Sequence, residues 1–391
     1  MRRFAEETVR VATQLAIVLM VVTVLACVAF AASAPPAGAG AKPFKVGFAF
    51  AQTGYLAGND RFALNGALMA VDYMNAKGGV NGRRLETYVE DMKSQPADGA
   101  AVVMKMVVQQ GVRAVLGGFA SAAAEAEAPI VAERNIPLLV YCLLPKNHQT
   151  VFSFITPPNF FMDAAFQFLK SNGISDIGLL HNPSPYNKVL LRIATNQAKI
   201  AGVNIVDVEE HAVDATSLTV QLTKIKEKKT QVVMSLSSGP SNLLAAKDMK
   251  ALGMSIPLLL SGGEEVAVMR DVAKNFDNTY ALASGVQTYP DVNPAQKPAA
   301  DIFVPLWRQK YPDRDPGNGG VGWDMIFTLA QVIHAVDGDD AKLVSALENL
   351  TYTGATNTYK FSTDNHNGVR SNPWKVVQFP AGTMKIVFTP K

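Results

Sequence analysis

The stretch from Lys45 to Asp91, KVGFAFAQTGYLAGNDRFALNGALMAVDYMNAKGGVNGRRLETYVED, constrains the fold more than any other part of the chain. Lys45 to Phe50 is short, apolar and β-rich, and Gln52-Thr53-Gly54 breaks the run as a turn does. Asn59 and Asp60 stand where they can cap the helix that follows, on which Leu64, Leu68 and Val71 share one face. Gly78-Gly79 stops that helix, because a left-handed residue after the last turn costs glycine almost nothing. Leu85 to Asp91 then alternates as a strand. This is one βαβ unit, so the sheet it starts is expected to be parallel, with ligand-facing loops at the C-terminal ends of its strands.

The alternation continues. Ala97–Gln110 reads as a helix, Arg113–Leu116 as a strand entering Gly117-Gly118, Ser121–Arg134 as a helix and Pro137–Tyr141 as a strand. Around Phe152 to Pro158 a short strand and a double proline mark a crossing, after which a second run of βα units begins. Tyr280 to Pro294 marks a second crossing and Tyr352 to Thr358 a third, and the tail from Tyr359 is β-like. Three crossings predict an α/β fold of two doubly wound lobes joined by a three-strand hinge. The expected division is 42–156 plus 285–354 for the first lobe and 157–284 plus 355–391 for the second.

The length, 391 residues, suits two cores better than one. Hydrophobic content of 48% against 18% charged residues marks an ordered globular chain. The net charge is +3, and without the first 41 residues, which hold Arg2, Arg3 and Arg10 against Glu6 and Glu7, it is +2. That balance does not point to nucleic acid. The N-terminal arginines, the apolar run Leu15–Ala32 and the small residues and prolines beyond it have the layout of a secretory signal peptide over residues 1–41. An uncleaved anchor and a lipoprotein box at Val24-Leu25-Ala26-Cys27 are the alternatives. Of two cysteines only Cys142 follows the signal, so no disulfide forms within one mature chain. The mature protein is expected to be soluble and periplasmic.

The opening stretch, with its KGGVNGR turn and closing VED, resembles the start of the type I periplasmic binding proteins of the branched-chain amino acid (Leu/Ile/Val-binding) family. The resemblance covers nearly all of the mature chain. It implies two lobes that close on a small ligand and membrane subunits of an ABC importer as partners. The family's serine at the position of Ser121 holds the ligand carboxylate, its glutamate at Glu264 pairs with the ligand ammonium, and its loop at His181–Tyr186 supplies a tyrosine from the second lobe.

Catalytic motifs are missing: there is no G-x-S-x-G, H-E-x-x-H, P-loop lysine motif or C-x-x-C. The five histidines have no metal-ligand spacing, and no cofactor is expected. Gly117-Gly118 lacks the spacing of a dinucleotide fingerprint. An enzyme needs a nucleophile and a base within reach, and the sequence nominates none. What remains are strand-end loops that carry hydroxyls, glycines and aromatics. Ser121 opens a helix after a glycine loop, where it reads either as a plain N-cap or as a carboxylate contact. Gln52, Tyr55, Phe119, Tyr141, Tyr186 and Tyr289 lie on the same class of loop, with Ser238 after a later strand. Leu143 and Leu144 stand where amino acid binders of the family offer a small residue and a threonine, and leucine has no hydroxyl. The ligand expected on that ground is an aromatic or other apolar monocarboxylic acid. A branched-chain or other amino acid is the alternative, and an extracellular sensor module using the same fold is a third reading.

Overall fold

The computed structural model describes residues 41–261 and 263–390. The signal read over residues 1–41 lies, apart from Ala41, outside the described residues. The first parallel sheet grows from the opening unit. β1 (Phe44–Phe50), α1 (Ala57–Ala76) and β2 (Leu85–Asp91) are followed by α2 (Pro96–Lys105), which runs into a π turn over Met106–Gln110. Then come β3 (Ala114–Gly117), α3 (Ser121–Ala132), β4 (Leu138–Val140) and β5 (Val151–Ser153). The strand order is β2-β1-β3-β4-β5, and every pair is parallel.

The second sheet takes up the next run of units: α4 (Pro158–Ser171), β6 (Asp176–His181), α5 (Pro185–Ala201), β7 (Asn204–Glu210), α6 (Thr219–Glu227) and β8 (Val232–Ser235). It continues through α7 (Pro240–Ala251), β9 (Leu258–Leu260), α8 (Val266–Asn275) and β10 (Thr279–Ser284). The chain then returns to the first unit with α9 (Lys297–Lys310), α10 (Gly317–Val336), α11 (Leu343–Glu348) and the small hairpin β11 (Thr351–Thr353) and β12 (Thr358–Lys360). It ends in the second sheet with β13 (Trp374–Gln378) and β14 (Lys385–Phe388), both antiparallel to their neighbours. The order there is β14-β13-β10-β9-β8-β6-β7. Each sheet reverses direction once, between β1 and β3 and between β6 and β8. The loops after those strands therefore splay apart and leave crevices, which is where open α/β sheets bind ligands.

Two expectations change. Asn59 and Asp60 do not cap α1: the helix starts at Ala57, and Asp60 lies inside its first turn, fully buried. Its Oδ2 accepts from the Ala51 N–H at 2.7 Å and its Oδ1 from the Phe119 N–H at 2.7 Å. Asp60 thus ties together the loops after β1 and β3, because those amides have no strand partner beyond the sheet edge. A side chain at Gly118 would meet this carboxylate at 2.0 Å, so the Gly117-Gly118 pair makes room for an acid.

The third crossing also moves. It was expected over Tyr352–Thr358, yet Tyr359, Phe361 and Val369 are buried in the same core as Phe44, Phe48 and Trp323. Aromatic packing explains the shift, since Phe361 meets both Phe152 and Phe154 at 5.3 Å between ring centroids. We place the return to the second sheet after Val369. The first core is closed from the other side by α10, which lies backbone to backbone on α1. A Cβ on Gly66 would come within 1.8 Å of the Gly319 carbonyl oxygen, and one on Gly322 within 1.8 Å of that of Ala63. Among the described residues no helix is long and apolar enough to cross a membrane.

Candidate functional site

The strand-end loops of both sheets and the three crossings meet around a cavity of about 460 Å³. From the first unit come Phe62, Phe119, Tyr141, Asp315 and Asn318; from the second, Phe161, Tyr186, Ser238, Glu264, Glu265 and Trp374. The first two crossings supply Thr156 and Ser284 to Gln287, and the loop between β11 and β12 supplies Thr356 and Asn357. Asn357 Nδ2 donates to Thr156 Oγ1 at 3.2 Å, which joins that loop to the first crossing. Buried Asp324 fixes the loop between β11 and β12, accepting from the backbone N–H groups of Ala355 and Thr356.

The first-unit wall is aromatic, with Asp315 and Asn318 among its polar members, and it is braced. Phe119, held by Asp60, meets Tyr141 edge to face with centroids 5.3 Å apart. The Tyr141 hydroxyl donates to Asn318 Oδ1 at 3.0 Å. Burial pushes that hydroxyl far above the usual tyrosine range, so it stays a neutral donor.

The second-unit wall is charged. Glu264 is buried at the start of the segment leading into α8, and its Oε1 accepts from the Gly239 N–H at 2.7 Å and from Asn242 Nδ2 at 2.5 Å. Asn242 is itself fixed by Ser235 Oγ, which donates to its Oδ1 at 2.6 Å. No described residue donates to the other oxygen of Glu264. Burial raises its pKa, opposed by the bonds from Gly239 and Asn242. Glu265 beside it is raised too, first by burial and then by Asp315. Asp315 also lines the cavity, so three carboxylates face it; among the described lining residues there is no lysine, arginine or histidine. Such a site attracts a positively charged group, and the six aromatic rings around it can cover an apolar body.

Five of the ten residues nominated from sequence line this cavity: Phe119, Tyr141, Tyr186, Ser238 and Glu264. The other five lie elsewhere. Tyr55 is 81% exposed and turned to solvent. Gln52 stays in the loop after β1, where its N–H donates to Asp91 Oδ1 at 2.8 Å. Tyr289 packs against the first core, with Lys297 and Arg308 over its ring. Ser121 opens α3 two residues beyond Phe119, and its side chain meets the buried Cys142 thiol. Leu143 is half-buried away from the cavity, and Leu144 is packed into the core beside Val140, Cys142 and Val151. Neither leucine lines the cavity, so the apolar ligand wall expected from them is not formed there.

Sequence reading missed Phe62, Asp315, Gln287, Asn318 and Trp374. The glycine run from Gly317 to Gly322 was the available signal for the first-unit members, since α10 can reach the cavity only by lying directly on α1. Gln287 follows β10 in a short 3-10 turn whose capping box with Ser284 aims its amide back across the cleft.

A family model described as periplasmic binding protein matches residues 43–383. A curated relative is the leucine-, isoleucine-, valine-, threonine- and alanine-binding protein of Pseudomonas aeruginosa, 23% identical over 330 residues that cover 82% of this chain and 86% of the relative. Among solved structures, the branched-chain amino acid transporter substrate-binding protein of Streptococcus pneumoniae in complex with isoleucine superposes with a TM-score of 0.70 at 21% identity, covering 89% of this chain and all of the other. A solute-binding protein of an ABC transporter from R. palustris in complex with benzoate gives 0.68 at 18%, covering 88% and 96%.

Proposed function

Because the chain belongs to the periplasmic binding protein family, whose members act in the periplasm or outside the cell, we propose that it captures a small apolar amino acid and hands it to an ABC importer. The observation that carries this reading is the buried Glu264, with one oxygen spent on Gly239 and Asn242 and the other left for a ligand. An ammonium group there would gain a charge-assisted bond in a site already short of positive charge, worth roughly 1.5 to 3 kcal/mol. Its apolar side chain would lie among Phe62, Phe119, Phe161 and Trp374. Closure of the two lobes about the three crossings would then shut out water and strengthen the pairing. No group in the site is arranged as a nucleophile with its base, which supports carriage over turnover.

The aromatic monocarboxylate favoured on Leu143 and Leu144 has lost that support, since neither leucine lines the cavity. Its remaining support is the aromatic lining. A thermal-shift panel separates the two readings, because a ligand that binds the folded state raises the melting temperature by linkage. Leucine, valine and isoleucine are expected to stabilise the protein, by about 2.7 kcal/mol at one hundred times Kd. Benzoate, cinnamate and 4-methyl-2-oxopentanoate are expected to leave it unchanged. Stabilisation by the acids without the amino acids would reverse the assignment.

A further inference from the structure

One residue of the first unit reaches across the cleft to the start of a helix in the second. Arg314 and Asp315 sit between α9 and α10; Glu265 and Val266 are the N-cap and first residue of α8. Asp315 Oδ2 accepts from the Val266 N–H at 2.9 Å and from Gln287 Nε2 at 3.1 Å. Gln287, on the second crossing, also donates to the Glu264 carbonyl oxygen at 3.1 Å. The Asp315 Oδ1 is fixed by the Gly317 N–H at 2.7 Å, so the carboxylate is aimed before it meets the other lobe. Val266 carries one of the free N–H groups that open a helix, and Glu265 gives it no side-chain cap. Arg314 and Glu265 share a recess at the mouth of the cleft, and the guanidinium opposes the upward shift of the Glu265 pKa.

We infer that Asp315 is a clasp that holds the two lobes together by capping α8 from the opposite lobe. Asp315 is the positioning residue: it satisfies a helix N–H that is bare when the lobes part, and Gln287 carries the same carboxylate to the peptide that bears Glu264. Closing the lobes and fixing the segment that carries the binding glutamate are then one event. The clasp is built from groups of the chain alone, so it acts before ligand arrives and whichever ligand the cleft accepts.

The test is a distance measurement on ligand-free protein. Cysteines replace Tyr55 and Asp271, exposed residues on either side of the cleft, and carry spin labels; Cys142 is buried and stays unlabelled. The wild-type background is expected to populate a short, closed distance. Asp315→Ala is expected to lower the closed-to-open ratio about tenfold, the effect of one charge-assisted hydrogen bond. Val266→Pro removes the donor and exchanges one part-buried apolar side chain for another, at the helix position that accepts proline best, and is expected to act alike. Combining the two should cost less than the sum of the single effects, since both delete the bond from the Val266 N–H to Asp315. The clasp is overturned if either variant, folded by its melting curve, keeps the wild-type distance distribution, or if the wild-type background has no closed population.

Discussion

Two buried carboxylates, Asp60 in the first unit and Glu264 in the second, occupy comparable places behind strand-end loops, yet they do different things. Asp60 spends both oxygens on backbone amides of its own unit. Glu264 spends one oxygen twice, and no described residue donates to the other. Both are penalised by burial, which raises Asp60 to about 6 and lifts Glu264 as well. The shift does not tell a structural acid from a binding one. An unspent oxygen on an acid that lines the cavity does.

The comparison breaks first at Asp60. Asp60→Ala leaves two buried N–H groups without acceptors, and urea unfolding is expected to show a loss of about 3 kcal/mol, because each orphaned donor costs about 1–3 kcal/mol. A loss confined to ligand affinity would mean that Asp60 belongs to the binding machinery after all. Glu264→Gln should do the reverse. The amide oxygen can still accept from Gly239 and Asn242, so the melting temperature holds, while calorimetry with leucine shows affinity lower by about thirtyfold, or ~2 kcal/mol. Equal affinity would remove the ammonium contact.

The smallest effect sharpens the rule with a third acid. Glu127, buried in α3, has an Oε1 with no hydrogen-bond partner, and burial raises it to about 8. A carboxyl whose folded pKa lies above its unfolded value holds its proton better in the folded state. Stability from this group is therefore present at low pH and is lost as pH climbs from about 4.5 to about 8. Glu127→Gln is expected to flatten the fall in melting temperature between pH 5 and pH 8 by a few degrees. An unchanged profile would show that Glu127 does not titrate in that window.

The strand and helix order was legible because hydrophobic period and glycine stops are local. So was the half of the site that sits directly on strand ends, from Phe119 to Glu264. Tyr55, Tyr289 and Leu143 misled because membership of a loop does not fix which way a side chain turns. Asp315, Asn318 and Trp374 were illegible for a different reason: packing from distant parts of the chain brings them to the cavity. Asp60 was seen and given the wrong work, since a cap and a tie between loops look alike until the partner amides are known.

The interleaving of the chain has a consequence for how it is made. The first core holds Phe44 from the earliest described strand and Val369 from the far end, and the second sheet is finished only by β13 and β14. Neither unit can bury its apolar surface until nearly the whole chain has been synthesised. Contacts of such sequence separation pay their loop-closure entropy late and form slowly. A nascent chain wired this way stays pliable while it is short, the condition under which a polypeptide can be threaded through a narrow channel.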